Sequence, residues 1–101
     1  MRAVAAMLAV AAALFTAAPA AAKEPDDSFL GTIDVIGIPI TDPAAAISAG
    51  RGACKALDGG AEVAAAVDTV ASETGISPDD AAYFVGVSIG AYCPHHEGLL
   101  G

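Results

Sequence analysis

Five consecutive residues, Cys93-Pro94-His95-His96-Glu97, bring together a thiol, two imidazoles and a carboxylate, the side chains that ligate zinc or copper. One other cysteine, Cys54, is present. Two cysteines in an exported chain predict a disulfide, and with two there is one possible pairing. Their competing uses find no support: the chain has no C-x-x-C for redox exchange and no second cysteine pair for zinc. With Cys93 oxidised, His95, His96 and Glu97 remain as the candidate metal ligands. Adjacent histidines point different ways in most backbones, so the three read as a solvated tail, and no metal centre or cofactor is expected.

The ingredients for catalysis are many acids, two histidines and a few hydroxyls, without a nucleophile motif such as G-x-S-x-G. Asp79 and Asp80 resemble a carboxylate pair, but after Ser77-Pro78 they fall at the positive end of a helix dipole, where acids stabilise the helix. No catalytic residue is assigned, and the chain is not expected to be an enzyme. Tyr83, Tyr92 and Val87 are apolar or amphipathic residues suited to an interface. Tyr92 is expected over the disulfide, and Tyr83 with Val87 near the surface.

The compartment is read from the N-terminus. Arg2 precedes an uncharged run from Ala3 to Ala22 that closes in Ala18-Pro19-Ala20 and Ala20-Ala21-Ala22, both small-x-small sites. This predicts a cleavable signal peptide over 1–22 and a secreted or cell-envelope location. Without Arg2, three basic residues (Lys23, Arg51, Lys55) face twelve acidic ones. Such a charge repels phosphate backbones, so a nucleic-acid partner is not expected.

The elements that must position these residues are helices. Lys23 to Asp27 reads as a polar linker, with Asp26 or Asp27 capping a first helix. Phe29, Leu30, Ile33 and Ile36 then form one apolar face, ended by Gly37. Asp42-Pro43 opens a second helix by cap-then-proline logic, running to Gly59-Gly60. Ile47, Gly50, Cys54 and Leu57 share its inner face, and Arg51, Lys55 and Asp58 turn outward. A third helix spans about Ala61 to Thr74 with Val63, Val67 and Val70 inward. The fourth runs from the Ser77-Pro78 start to Pro94, apolar or small on every side after its first turn. The predicted fold is all-α: a small bundle of four short helices stapled by one disulfide. Its limits are 23–27 linker, 28–94 helical domain and 95–101 flexible tail.

Short connections make the third helix antiparallel to its neighbours, which places Cys54 and Cys93 at one level. A disulfide needs its Cα atoms about 4.4–6.8 Å apart, closer than the usual 8–10 Å between helices. Gly50 before Cys54, and Gly86 and Gly90 before Cys93, are therefore expected to let the second and fourth helices approach. Nothing in the sequence accounts for Gly52.

Three segments carry a resemblance. They are Asp27-Ser28-Phe29-Leu30; Asp42 to Ile47 with Ala49, Gly50, Arg51 and Cys54; and Pro78, Asp79, Ala81, Ala82, Phe84, Val85, Ile89, Tyr92, Cys93 and Pro94. Together they resemble domain-of-unknown-function family 732, small secreted mycobacterial proteins with a signal peptide, a helical domain and two cysteines. The resemblance implies export and a helical disulfide domain. It implies no activity and no functional residue.

Two function classes follow. The preferred one is a non-enzymatic exported module that binds a protein or envelope component, or self-associates. The alternative is a small-ligand or metal carrier using the bundle interior or the histidine tail.

Overall fold

The computed structural model describes residues 25–100; the stretch read as a signal peptide, 1–22, lies outside the described residues. The order is α1 over 25–36, α2 (Pro43–Asp58), α3 (Val63–Thr74), α4 (Pro78–Tyr92) and a 3-10 helix over Pro94–Leu100. No strand occurs among the described residues, and none of their helices is long and apolar enough to cross a membrane. The all-α, disulfide-stapled class is as expected.

The helix ends follow local chemistry. Asp42 accepts a hydrogen bond from the Ala45 amide at 3.2 Å, and Ser77 from the Asp80 amide at 3.1 Å. Each satisfies an amide the helix cannot, and each is followed by proline at the first helical position. Gly37, Gly60 and Gly75 close α1, α2 and α3 at φ of 90°, 96° and 75°, a left-handed backbone that a side chain would strain.

Two limits differ from expectation. Residues 25–27 belong to α1, so Asp26 and Asp27 lie within the helix instead of in a linker or at its cap. Residues 94–100 form a 3-10 helix instead of a loose tail. Pro94 ends α4 as proline should, yet its fixed φ also suits a 3-10 turn, and the His96 amide donates to the Cys93 carbonyl at 2.9 Å.

Helices α2, α3 and α4 pack on one another, and α1 lays Phe29 and Ile33 against them. In α4 the buried positions are Ala81, Phe84, Val85, Ser88 and Ile89, a stripe at three- and four-residue spacing that Cys93 continues. The helix is apolar all round but buried on one side. Tyr83 is 64% exposed, and Val87 is half-buried against the core. Ile36, expected inward, is exposed; the burial in α1 falls to Phe29 and Ile33. Ile38 is buried and Ile40 half-buried, so the connection after α1 is pinned as its sequence suggested. Ser88 is the one buried polar side chain among the described residues, and its hydroxyl donates to the Phe84 carbonyl at 2.8 Å.

Cys54 and Cys93 are bonded, with Cα atoms 5.8 Å apart. The bond joins the last turn of α2 to the end of α4, so these two ends lie side by side. Only one of the three glycines proposed to allow this is needed for close approach. A Cβ on Gly50 would lie 2.9 Å from Phe29 Cζ and 3.1 Å from Ser88 Oγ. Gly86 and Gly90 have open space where a Cβ would be. They face away because α4 meets α2 through Ser88, whose carbonyl oxygen sits 3.4 Å from Cys54 Sγ. A disulfide sulfur carries no proton, so this is a packing contact and not a hydrogen bond. Gly52 is likewise exposed and open, and nothing in the structure requires it.

The two kinds of glycine separate in a stability measurement. Gly50→Ala drives a methyl group into a fully buried ring and should lower stability by about 1–3 kcal/mol. Gly90→Ala, in the exposed interior of α4, should raise it by about 0.5–1 kcal/mol. Urea unfolding of the oxidised protein reads both signs; equal effects would contradict the placement of Phe29 over Gly50.

Candidate functional site

The polar side chains with specific partners gather near the disulfide, where α1, α2 and α4 meet. Asp26 on the first described turn of α1 accepts from Arg51 Nη2 at 2.8 Å and from the Tyr92 hydroxyl at 2.6 Å, both on Oδ1. The Arg51 guanidinium also lies over the Tyr92 ring, 4.8 Å from its centroid, a cation–π arrangement. Three helices thus contribute one residue each.

The electrostatics follow from these contacts. Asp26 is held below the usual carboxylate value, first by the hydrogen bond from Tyr92 and then by that from Arg51. Tyr92 is pushed well above the usual phenol value, first by burial and then by its bond to Asp26. Arg51 is raised further by Asp26. Every shift deepens the charge state these groups already hold at neutral pH. Tyr92, expected over the disulfide, instead rests its ring on Phe29, centroids 5.2 Å apart, and turns its hydroxyl to Asp26.

The second cluster surrounds Asp58, the last residue of α2. His95 Nε2 lies 3.0 Å and His96 Nε2 2.7 Å from the same oxygen, Oδ1. Asp58 is held below the usual carboxylate value by His95 first and His96 second. The two rings tilt against each other with centroids 4.2 Å apart. The neighbouring histidines, expected to diverge, converge here on one oxygen. The 3-10 helix lies close enough to the end of α2 for both long imidazoles to reach an oxygen between them. Glu97, the third sequence candidate, is exposed and outside the cluster; Asp58 takes its place. An open depression of about 230 Å³, lined by Arg51, Cys54, Lys55, Asp58 and Tyr92, connects the two clusters.

A family model described as a protein of unknown function (DUF732) matches residues 25–95. The chain belongs to this family. An uncharacterized protein of Mycobacterium tuberculosis is 32% identical over 92 residues, covering 91% of this chain and 81% of that protein. An uncharacterized protein of Mycobacterium bovis is 37% identical over 85 residues, covering 84% of this chain and 77% of its own length. No solved structure matches.

The structure gives the DUF732 patterns a physical meaning. Phe29, Gly50, Phe84 and Tyr92, all among the residues that carried the resemblance, converge on one packing site. Arg51, from the same patterns, closes it from outside. Asp26 and Asp58 were missed as partners. Asp26 reads in the sequence as a linker residue or a helix cap, and the signal for Asp58 is its place one turn beyond Cys54, facing outward.

Two measurements test the α1 cluster. Asp26 has a lowered folded pKa, so its contribution to stability is present above the ordinary value of 3.8 and is lost as pH falls through the folded value. Asp26→Asn should therefore be less stable than wild type at pH 7, and the two stability curves should converge as pH falls through the folded value of Asp26. Parallel curves would contradict the bond. The raised Tyr92 pKa works in the opposite window, stabilising below the ordinary value of 10.0 and fading as pH rises through the folded value. In a Tyr83→Phe variant the remaining phenol should ionise, by ultraviolet absorbance, with a midpoint clearly above 10.

Proposed function

We propose that this DUF732 domain is exported and works without catalysis, by presenting a surface to a protein or envelope component or to a second copy of itself. The observation that carries this reading is the apolar surface left over once the core is closed. Val35 is 86% exposed beside the exposed Ile36 at the end of α1, and Tyr83 is 64% exposed on α4. Leu99 and Leu100 are exposed at the end of the 3-10 helix. Burying a side chain of the Val or Ile kind is worth about 1.5–3 kcal/mol, so adjacent exposed pairs in so small a domain suit an interface. Val87, half-buried, adds less than its sequence position suggested.

Three further features support the reading. The Cys54–Cys93 bond suits an oxidising compartment. The formal charge of −8 disfavours nucleic acid as partner. The perturbed groups are shifted away from the pH range in which a general acid or base works. A small-ligand carrier calls for an enclosed chamber, whereas the depressions beside α1, α2 and the α3–α4 turn are open to solvent.

Photo-crosslinking groups placed at Val35, Tyr83 and, as a control, the exposed Asp68 of α3 test the proposal in the producing cell. Positions 35 and 83 should give discrete adducts, to a partner or to a second copy, that position 68 does not. Sedimentation of the oxidised protein at several concentrations separates the two kinds of adduct. Absence of adducts at 35 and 83, or equal labelling from all three positions, would overturn the surface reading.

A further inference from the structure

We propose that Asp58, His95 and His96 form a binding site for a first-row divalent cation of the zinc class, and that the Cys54–Cys93 disulfide assembles it. This inference is independent of the apolar surface. One carboxylate oxygen and two imidazole nitrogens lie within 4.8 Å of one another, drawn from two segments 37 residues apart. Zinc binds nitrogen and oxygen at about 2.0–2.2 Å, so tetrahedral donors stand about 3.3 Å apart. The carboxylate-to-imidazole distances, 3.0 and 2.7 Å, are a few tenths of an ångström shorter. Small rotations of the exposed Asp58 and His95 side chains open them to that spacing without moving a helix.

Ligand chemistry selects the class of ion. Two neutral imidazoles and one carboxylate suit zinc, copper or nickel, whereas calcium and magnesium prefer oxygen throughout. The site offers one negative charge to a dication, within a chain whose formal charge is −8. His96 is the anchored ligand, with its side chain 20% exposed, while His95 and Asp58 are 63% and 55% exposed. The remaining coordination positions therefore face solvent. Such a site holds an exchangeable ion, with a Kd on the order of micromolar, and not a structural one.

The disulfide supplies the preorganisation. Asp58 follows Cys54 by one helical turn, and His95 and His96 follow Cys93 by two and three residues. With the Cys54 and Cys93 Cα atoms held 5.8 Å apart, the histidines are delivered to Asp58. Without the bond, the segment after Cys93 must be ordered at the expense of binding. Cation binding at this end of the bundle is thereby coupled to oxidation of the cysteines.

Calorimetric titration of zinc into tag-free, oxidised full chain tests the proposal. One zinc per chain with a Kd on the order of micromolar is expected. Asp58→Asn and His96→Ala should each weaken binding at least about tenfold, while Glu97→Gln should leave it unchanged. Asp58 and Glu97 are exposed and His96 is half-buried outside the core, so circular dichroism should show each variant folded. Reduced and alkylated protein should also lose at least about tenfold in affinity. That loss agrees with assembly by the disulfide whether its helices persist or melt. No zinc uptake by the oxidised wild type, wild-type affinity in Asp58→Asn and His96→Ala, or an equal loss in Glu97→Gln would overturn the site. Undiminished affinity after reduction would overturn the role of the disulfide.

Discussion

Phe29 has no exposed surface, and with Ile33 beside it its ring carries α1 into the core. The ring lies over Gly50 of α2, meets Phe84 of α4 edge to face at 5.2 Å, and supports Tyr92 at the same distance. The need for it comes from composition. The inner faces of α2, α3 and α4 carry Ala46, Ala49, Ala53, Ala66 and Ala81, which allow close helix approach but bury little apolar area. A core of that kind has to be filled by a few large groups, and the largest fully buried ones are Phe29 and Phe84. Deleting such a ring costs about 3–5 kcal/mol, much of what a domain this small has in hand. The missing side chain at Gly50 is thus part of the core: it is the volume the ring occupies.

The covalent link complements this packing. A domain below about 80 residues rarely gains more than 3–5 kcal/mol from its core alone. Closing a loop of roughly 40 residues contributes about 4 kcal/mol in the chain-entropy model. The two devices act on different parts of the chain. Phe29 fastens α1, which the disulfide leaves outside its loop, and the disulfide fastens the end of α4 and whatever follows it. The 3-10 helix has no buried residue of its own. Its place against α2 is held by Cys93 on one side and by the two histidines on Asp58.

Periodicity and punctuation made most of the helices legible in the sequence. Asp42-Pro43 and Ser77-Pro78 act as the caps they resemble, and Gly37 and Gly75 stop their helices in the left-handed region. The disulfide is legible from the even cysteine count of a chain whose N-terminus reads as an export signal. What was not legible depended on rotation about a helix axis or on contacts between distant residues. Gly86 and Gly90 precede Cys93 at helical spacing, but Cys93 is the helix cap, and the buried face of α4 that meets α2 runs through Ser88. The 25–27 segment reads as a linker by composition, yet Asp26 is fixed by partners 25 and 66 residues away. No local pattern reports such partners. Likewise His95 and His96 pointed to ligand chemistry, but the carboxylate that meets them was visible only after the chain had folded back.

The two polar clusters differ in what they can exchange with the surroundings. Tyr92 and Arg51 both give their hydrogen bonds to one oxygen of Asp26, which fixes the acid as an anion and the phenol as a neutral donor. Proton transfer within the cluster would replace that pairing by a neutral acid beside a phenolate, the reverse of both shifts. A general acid or base needs its pKa brought toward the working pH, and here the same contacts move it away. The cluster is a latch between α1, α2 and α4. Asp58 is also held as an anion, but by imidazoles that are nitrogen ligands as well as hydrogen-bond partners. A cation can replace those hydrogen bonds with coordination to the same three atoms, and most of that cluster already faces solvent. The exchange with the medium that the Asp26 cluster forbids is open to Asp58.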